Sequence, residues 1–217
     1  MKERYLFDLL VPAQKVPVVT VGKRRKIVRQ ERPADKFAAL TQEALSCQGC
    51  RLRRGATQVV FGVGNPQAVL MFVGEGPGAD EDRQGIPFVG RAGQLLDKIL
   101  AAAEIRREDT YITNVVKCRP PHNRMPTEDE VAACLPFLKR QIELIKPQII
   151  VCLGALATQT IIGPEAHVSV VRGRWFDKFN ARVMATFHPA ALLRDERKKR
   201  PVWEDMKKIR DFYRSLI

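Results

Sequence analysis

The chain has 217 residues, 45% of them apolar, and a formal net charge of +13. That length suits one globular domain with a sizeable core and a short appendage, and so basic a balance points to a polyanionic partner, nucleic acid or an anionic membrane surface. No run is long and apolar enough to span a bilayer, and the N-terminal MKERYLFDLLVPAQ lacks both an apolar signal core and a small-residue cleavage site, so the cytoplasm is the expected compartment.

Residues 1–35 differ in character from the rest of the chain. They hold Gly22–Lys26 (GKRRK), scattered prolines and the Val-rich stretch Val16–Val21. This predicts a basic arm with at most one strand or short helix, either a solvated tail or a segment that contacts DNA or a protein partner. The folded body is expected over residues 36–217. Phe37, Leu40, Ala44 and Leu45 recur at helical spacing, in a helix that ends near Cys47. From there strands and helices alternate. Ala68–Val73 is a buried apolar strand. Gly90–Ala103 is an amphipathic helix with Leu95, Leu96, Ile99 and Leu100 on one face. Thr110–Val116 is a second strand, and Glu128–Ile145 a helix capped by Thr127. Gln148–Leu153 is a third strand, Ala155–Ile162 a short helix and Arg182–Phe187 a fourth strand. Pro201–Leu216 closes the body as a helix, with Pro201 suited to its first turn.

Continuous apolar strands alternating with helices predict a three-layer α/β/α sandwich around a mostly parallel, four-stranded sheet. Ligands of such folds bind beyond the C-terminal ends of the strands. Three polar clusters stand there: Gly74–Gly78 after the first strand, Asn114–Pro121 at the end of the second, and His188–Arg194 after the fourth.

Four phrases in this region resemble, in order and spacing, the family-four uracil-DNA glycosylases. They are GEGPGADEDRQGIPFVGRAGQLLDKIL from Gly74, YITNVVKCRPPHNRMP from Tyr111, IIVCLGALA from Ile149 and FHPAALLR from Phe187. The resemblance covers about Leu40 to the C-terminus and leaves the basic arm unexplained. It implies a DNA repair enzyme that flips uracil out of single- or double-stranded DNA and hydrolyses its N-glycosidic bond. The enzyme is expected to act as a monomer, and its arm is a candidate contact for a replication or repair partner.

The resemblance also assigns roles. Glu75 would orient the attacking water and stabilise the sugar cation, because bond cleavage gives the sugar oxocarbenium character. Gly74 and Gly76 flank it in the loop that receives the base, and Phe88 would stack on that base. Asn114 would read uracil, with one amide accepting from N3–H and donating to O4; cytosine reverses both groups. His188 would donate to uracil O2 as negative charge grows on the leaving base. Its charge state is open from sequence. Leu192 or Leu193 would fill the hole left in the base stack, and Arg194 would hold a phosphate. Glu81 would help to close the wall beside uracil C5 that refuses thymine.

Five cysteines are an odd number, better suited to ligands, catalytic thiols or core positions in a reducing compartment than to disulfides. Cys47 and Cys50 form a C-x2-C pair, Cys118 follows the second strand, and Cys134 lies in the next helix. Four thiolates at such spacing bind zinc or an iron–sulfur cluster, and spacing alone does not choose. The resemblance implies a four-iron, four-sulfur (4Fe-4S) cluster on these four residues, with a structural role. Cys152, inside QIIVCL, reads as an ordinary buried residue. One rival reading is a non-catalytic or covalent uracil-DNA binder that traps its target through a loop histidine, here His122. The basic insertion that accompanies that histidine in such relatives is absent from Arg119–Arg124.

Overall fold

The structure is a computed structural model that describes residues 32–217. The basic arm, with Lys23–Lys26 and Val16–Val21, lies outside the described residues. Helix α1 (Pro33–Leu45) begins ahead of the apolar periodicity at Phe37. Pro33 suits a first helical position, and Asp35 accepts from the Arg32 N–H at 3.3 Å. Next come α2 (Leu52–Gly55), β1 (Val63–Gly64), β2 (Leu70–Gly74), α3 (Ala79–Gln84), α4 (Arg91–Ala102) and β3 (Thr110–Asn114). The second half holds α5 (Glu128–Ile145), β4 (Ile149–Leu153), α6 (Ala155–Ile161), α7 (Val168–Val171), β5 (Trp175–Lys178), β6 (Ala181–Thr186), α8 (Pro189–Arg194) and α9 (Lys199–Arg214). The start of α5 is set locally, since Glu130 accepts from the Thr127 N–H at 2.9 Å.

Among the described residues the sheet has six strands rather than four, in the order β1-β3-β2-β4-β6-β5. The four expected strands are its parallel centre: β2 pairs with β3 and β4, and β4 with β6. The two additional strands are antiparallel edges. β1 is two residues long, and β5 (WFDK) is half to fully exposed. Neither presents the apolar run by which the central strands are recognised. β5 turns into β6 through Phe179 and Asn180, both at positive φ, as a two-residue hairpin requires.

Alternation along each central strand divides the core between the two faces. Met71, Val73, Ile150, Cys152, Val183 and Ala185 face α1, α5 and α6. Leu70, Phe72, Ile149, Val151 and Met184 face α4 and α9. Helices on both faces leave only the strand ends free to build a site. Because β3 and β4 lie on opposite sides of β2, that strand is the point where the winding reverses and a crevice opens.

Candidate active site

The parallel register places Gly74 of β2 directly beside Asn114 of β3, so Glu75 and Asn114 leave the sheet side by side. A cleft of about 460 Å³ opens over them, walled also by Phe88, His188 and Arg194. Two glycines make the approach possible. A Cβ on Gly74 would lie 2.4 Å from Asn114 Oδ1 and 2.6 Å from Phe88 Cζ. Gly154 caps β4 at φ +93°, and a Cβ there would meet His188 Cβ at 3.0 Å. β4 therefore contributes clearance rather than a side chain, which lets His188, from beyond β6, reach the groups at the ends of β2 and β3.

The polar groups here are incompletely satisfied. Asn114 is 2% exposed, and its Oδ1 is buried without a hydrogen-bond partner. Such an acceptor is costly to leave open. His188 Nδ1 accepts from the Ala190 N–H at 3.1 Å, so the neutral ring carries its proton on Nε2. Burial, reinforced by the Arg194 charge and opposed by Glu81, lowers the His188 pKa to about 4. The imidazole is thus a neutral donor at pH 7. The Glu75 carboxyl is raised above its ordinary value by burial, with Arg194 working against the shift.

Phe88 sits 5.5 Å from the His188 ring, tilted by 30°. Its φ of 56° is a strained conformation for a residue with a Cβ. Glu81 holds that turn: its carboxylate accepts from Val89 N–H at 2.9 Å, Gly90 N–H at 2.8 Å and Gly78 N–H at 3.1 Å. Glu81 lines the cleft, but its oxygens are engaged by backbone. A Cβ on Gly76 would lie 2.8 Å from Val116 Cγ2, so this position packs against the strand-end loop.

The two leucines of α8 separate. Leu192 is 2% exposed and lies in the core with Leu96, Val202 and Met206. Of the two leucines expected to fill the base stack, the α8 turn thus points Leu192 into the molecule. Leu193, the next residue around the helix, is 42% exposed. Arg194 is exposed at the cleft edge. Arg91, Asn123 and Arg124 also line the cleft, and the strand-end rule missed all three. Arg91 comes just after the Phe88 turn, and the other two lie nine and ten residues beyond Asn114. Arg124 is held by two bonds to buried Glu130, at 2.7 and 2.8 Å. His122 is exposed and does not line the cleft.

On the flank of the sheet, Cys47, Cys50, Cys118 and Cys134 line one small, largely apolar cavity with Leu52, Val59 and Phe137. Cys47 and Cys50 are half-buried, Cys118 and Cys134 buried. Burial first, then the nearby Cys134, Cys50 and Cys47 thiols, pushes the Cys118 pKa up to about 12. Two backbone N–H groups already aim at sulfur: Gly49 to Cys47 Sγ at 3.3 Å and Lys117 to Cys134 Sγ at 3.2 Å. Among the described residues no three His, Cys, Asp or Glu side chains close tightly enough on one point to hold a metal ion. Four thiols in one largely apolar cavity, two of them already accepting from backbone N–H, are a donor set that suits zinc or an iron–sulfur cluster. Cys152 is fully buried in β4 and does not line this cavity.

The sequence profile of the Uracil DNA glycosylase superfamily matches residues 61–207, a span that holds the whole cleft. A type-4 uracil-DNA glycosylase of Thermotoga maritima is 47% identical over 180 residues, 81% of this chain and 94% of its own length. One from Archaeoglobus fulgidus is 47% identical over 180 residues, 78% of this chain and 89% of its own. A type-5 uracil-DNA glycosylase of Pyrobaculum aerophilum is 33% identical over 146 residues, 59% of this chain and 64% of its own. Likeness to the type-4 proteins is both higher and more extensive, so the chain belongs to the uracil-DNA glycosylase superfamily and, within it, to the type-4 uracil-DNA glycosylases.

Proposed function

We propose that this chain is a DNA repair glycosylase that flips uracil from DNA and hydrolyses its N-glycosidic bond, leaving an abasic site. The observation that carries this reading is the buried, unpartnered Asn114 Oδ1 in the same cleft as the neutral His188. Uracil supplies the missing partner, an N3–H for Oδ1, and its O4 accepts from the amide nitrogen. Phe88 stacks on the ring. Its turn is held by Glu81, which acts on the wall beside C5 through backbone rather than by direct contact.

Chemistry then divides between two groups. As the C1′–N1 bond breaks, the electron pair stays on the base and spreads to O2. The His188 Nε2–H stabilises that charge without having to lose its proton. Glu75, ionised, faces the sugar, favours its cationic character and orients a water. The water oxygen bonds to C1′ and its proton passes to the carboxylate. Leu193 fills the vacated stack, and Arg194 holds a phosphate.

Cys47, Cys50, Cys118 and Cys134 would hold a 4Fe-4S cluster. When bound, that group supplies a cross-link between the C-terminal end of α1, the loop after β3 and α5. No helix among the described residues is long and apolar enough to cross a membrane, and the reading places a monomer on DNA in the cytoplasm. The direct test is an assay on oligonucleotides containing U, T, C or hypoxanthine, followed by alkali cleavage of abasic sites. Strand breaks confined to the uracil substrate are expected. A denaturant-resistant adduct on uracil DNA with no free uracil released would overturn the reading.

A further inference from the structure

Lys117 is 2% exposed, although lysine is almost never fully buried without a partner. Its Nζ bonds to Thr113 Oγ1 at 2.5 Å, Asn114 O at 2.7 Å and Gln141 Oε1 at 2.6 Å. It thus makes three hydrogen bonds, each to a neutral oxygen. A methionine would fill similar space with no charge to desolvate, so volume does not explain the lysine.

The bonds around it form a continuous frame. Gln141 of α5 donates to Phe61 O at 2.9 Å and to Tyr111 Oη at 3.0 Å, so its amide is fixed before it accepts from Lys117. The Lys117 carbonyl accepts from Val60 N–H at 2.7 Å, and its own N–H meets Cys134 Sγ. The Nζ closes the turn that ends β3 by bonding a carbonyl three residues back. Asn114 Oδ1 takes no protein hydrogen bond. An amide that keeps its reading atom free must be held by its backbone.

We propose that Lys117 is a positioning residue for Asn114, its buried Nζ tying the Asn114 carbonyl to Gln141 so that α5, the helix that carries Cys134, sets where the reading amide stands. The inference rests on the base-reading role proposed for Asn114. It predicts that the cysteine-lined flank reaches base recognition through hydrogen bonds as well as through general stability.

The test compares Lys117→Met, Gln141→Leu and Asn114→Ala with the wild-type chain. Three quantities are read below each variant's melting temperature: inhibition by free uracil, single-turnover cleavage of uracil DNA, and affinity for abasic-site DNA. Lys117→Met should weaken uracil inhibition and slow cleavage by about tenfold or more, with abasic-site affinity within about twofold, because that product does not occupy the amide. A merely structural lysine would lower the melting temperature and leave uracil inhibition unchanged, and that result overturns the proposal. If Lys117→Met does not fold, Gln141→Leu, which removes the acceptor on α5, should weaken uracil inhibition in the same direction; unchanged inhibition there overturns it equally. Asn114→Ala separates the two claims. If it leaves uracil inhibition intact, the base-reading role fails. If it alone weakens inhibition, only the positioning role of Lys117 fails.

Discussion

The cleft at the strand ends and the cysteine cavity on the flank use their hydrogen-bonding groups differently. In the cleft the hydrogen-bonding capacity of reactive side chains is withheld: Asn114 Oδ1 has no partner, and Phe88 is kept in a left-handed backbone conformation. Around the cysteine cavity, most of the capacity is used. Lys117 Nζ makes three hydrogen bonds and two sulfurs accept from backbone N–H, while Arg53 Nε is the one buried side-chain atom described there without a partner. Unsatisfied polar groups are expensive, and proteins tolerate them where a ligand will complete them. The open acceptor in the cleft faces space for a base, whereas the bonds beside the cysteines tie the loop after β3 to α5.

Breaking the cleft should have the largest consequences. Glu75→Gln keeps size but removes charge, and should slow single-turnover cleavage by about ten- to a thousandfold, or about 1.4–4 kcal/mol. Binding to uracil DNA should survive. A variant that loses binding and rate together would make Glu75 a binding residue instead.

Removing the His188 donor by His188→Ala should slow cleavage by about a hundredfold, the usual cost of one donor to a developing anion. The pH profile sharpens the assignment. Cleavage needs Glu75 ionised, with a pKa raised by burial, and His188 neutral, with a pKa near 4. Both conditions fail on acidification, and neither group imposes a loss between neutral and alkaline pH. An alkaline limb that disappears in His188→Ala would mean that the charged ring is the active form. Stability carries a matching sign. The unfolded histidine takes a proton near its ordinary value of 6.5, the folded one only near 4. The unfolded state therefore gains protons first, and stability falls as pH drops through that window. His188→Ala should flatten that slope in denaturant titrations.

On the flank, Cys118→Ser should abolish the brown colour and acid-labile sulfide expected of a cluster protein and lower the melting temperature, whereas Cys152→Ala should retain both. Stoichiometric zinc without iron in anaerobically prepared protein would replace the cluster with a single ion. The smallest pair lies within one helix. Leu192→Ala should cost about 2–5 kcal/mol of stability as a core truncation. Leu193→Ala should cost no more than about 0.5 kcal/mol, as at other surface positions, yet weaken retention of the flipped state. Equal stability losses for the two would erase the distinction drawn from their exposure.

Much of this molecule is legible in its sequence because the signals are local. Continuous apolar runs mark the four central strands, Thr127 marks the start of α5, and the phrases after Gly74, at Asn114 and at His188 mark the strand ends where such folds bind ligands. Edge strands escaped because pairing on one side alone asks little of a sequence: two residues suffice at Val63–Gly64, and polar side chains are tolerated in Trp175–Lys178. What needed three dimensions were the relations between distant segments. That Leu192 is core and Leu193 is free depends on how α8 is rotated against α4. The neutrality of His188 depends on burial and on Arg194. The purpose of Gly154 appears only when His188 is seen to cross it. A buried lysine beside a cysteine carries no warning in sequence, since only packing removes the water that would otherwise solvate its charge. Composition and periodicity thus determined the elements and the edge of the sheet that carries the chemistry; burial, which no residue possesses alone, decided charge state, orientation and which of two neighbouring leucines meets the solvent.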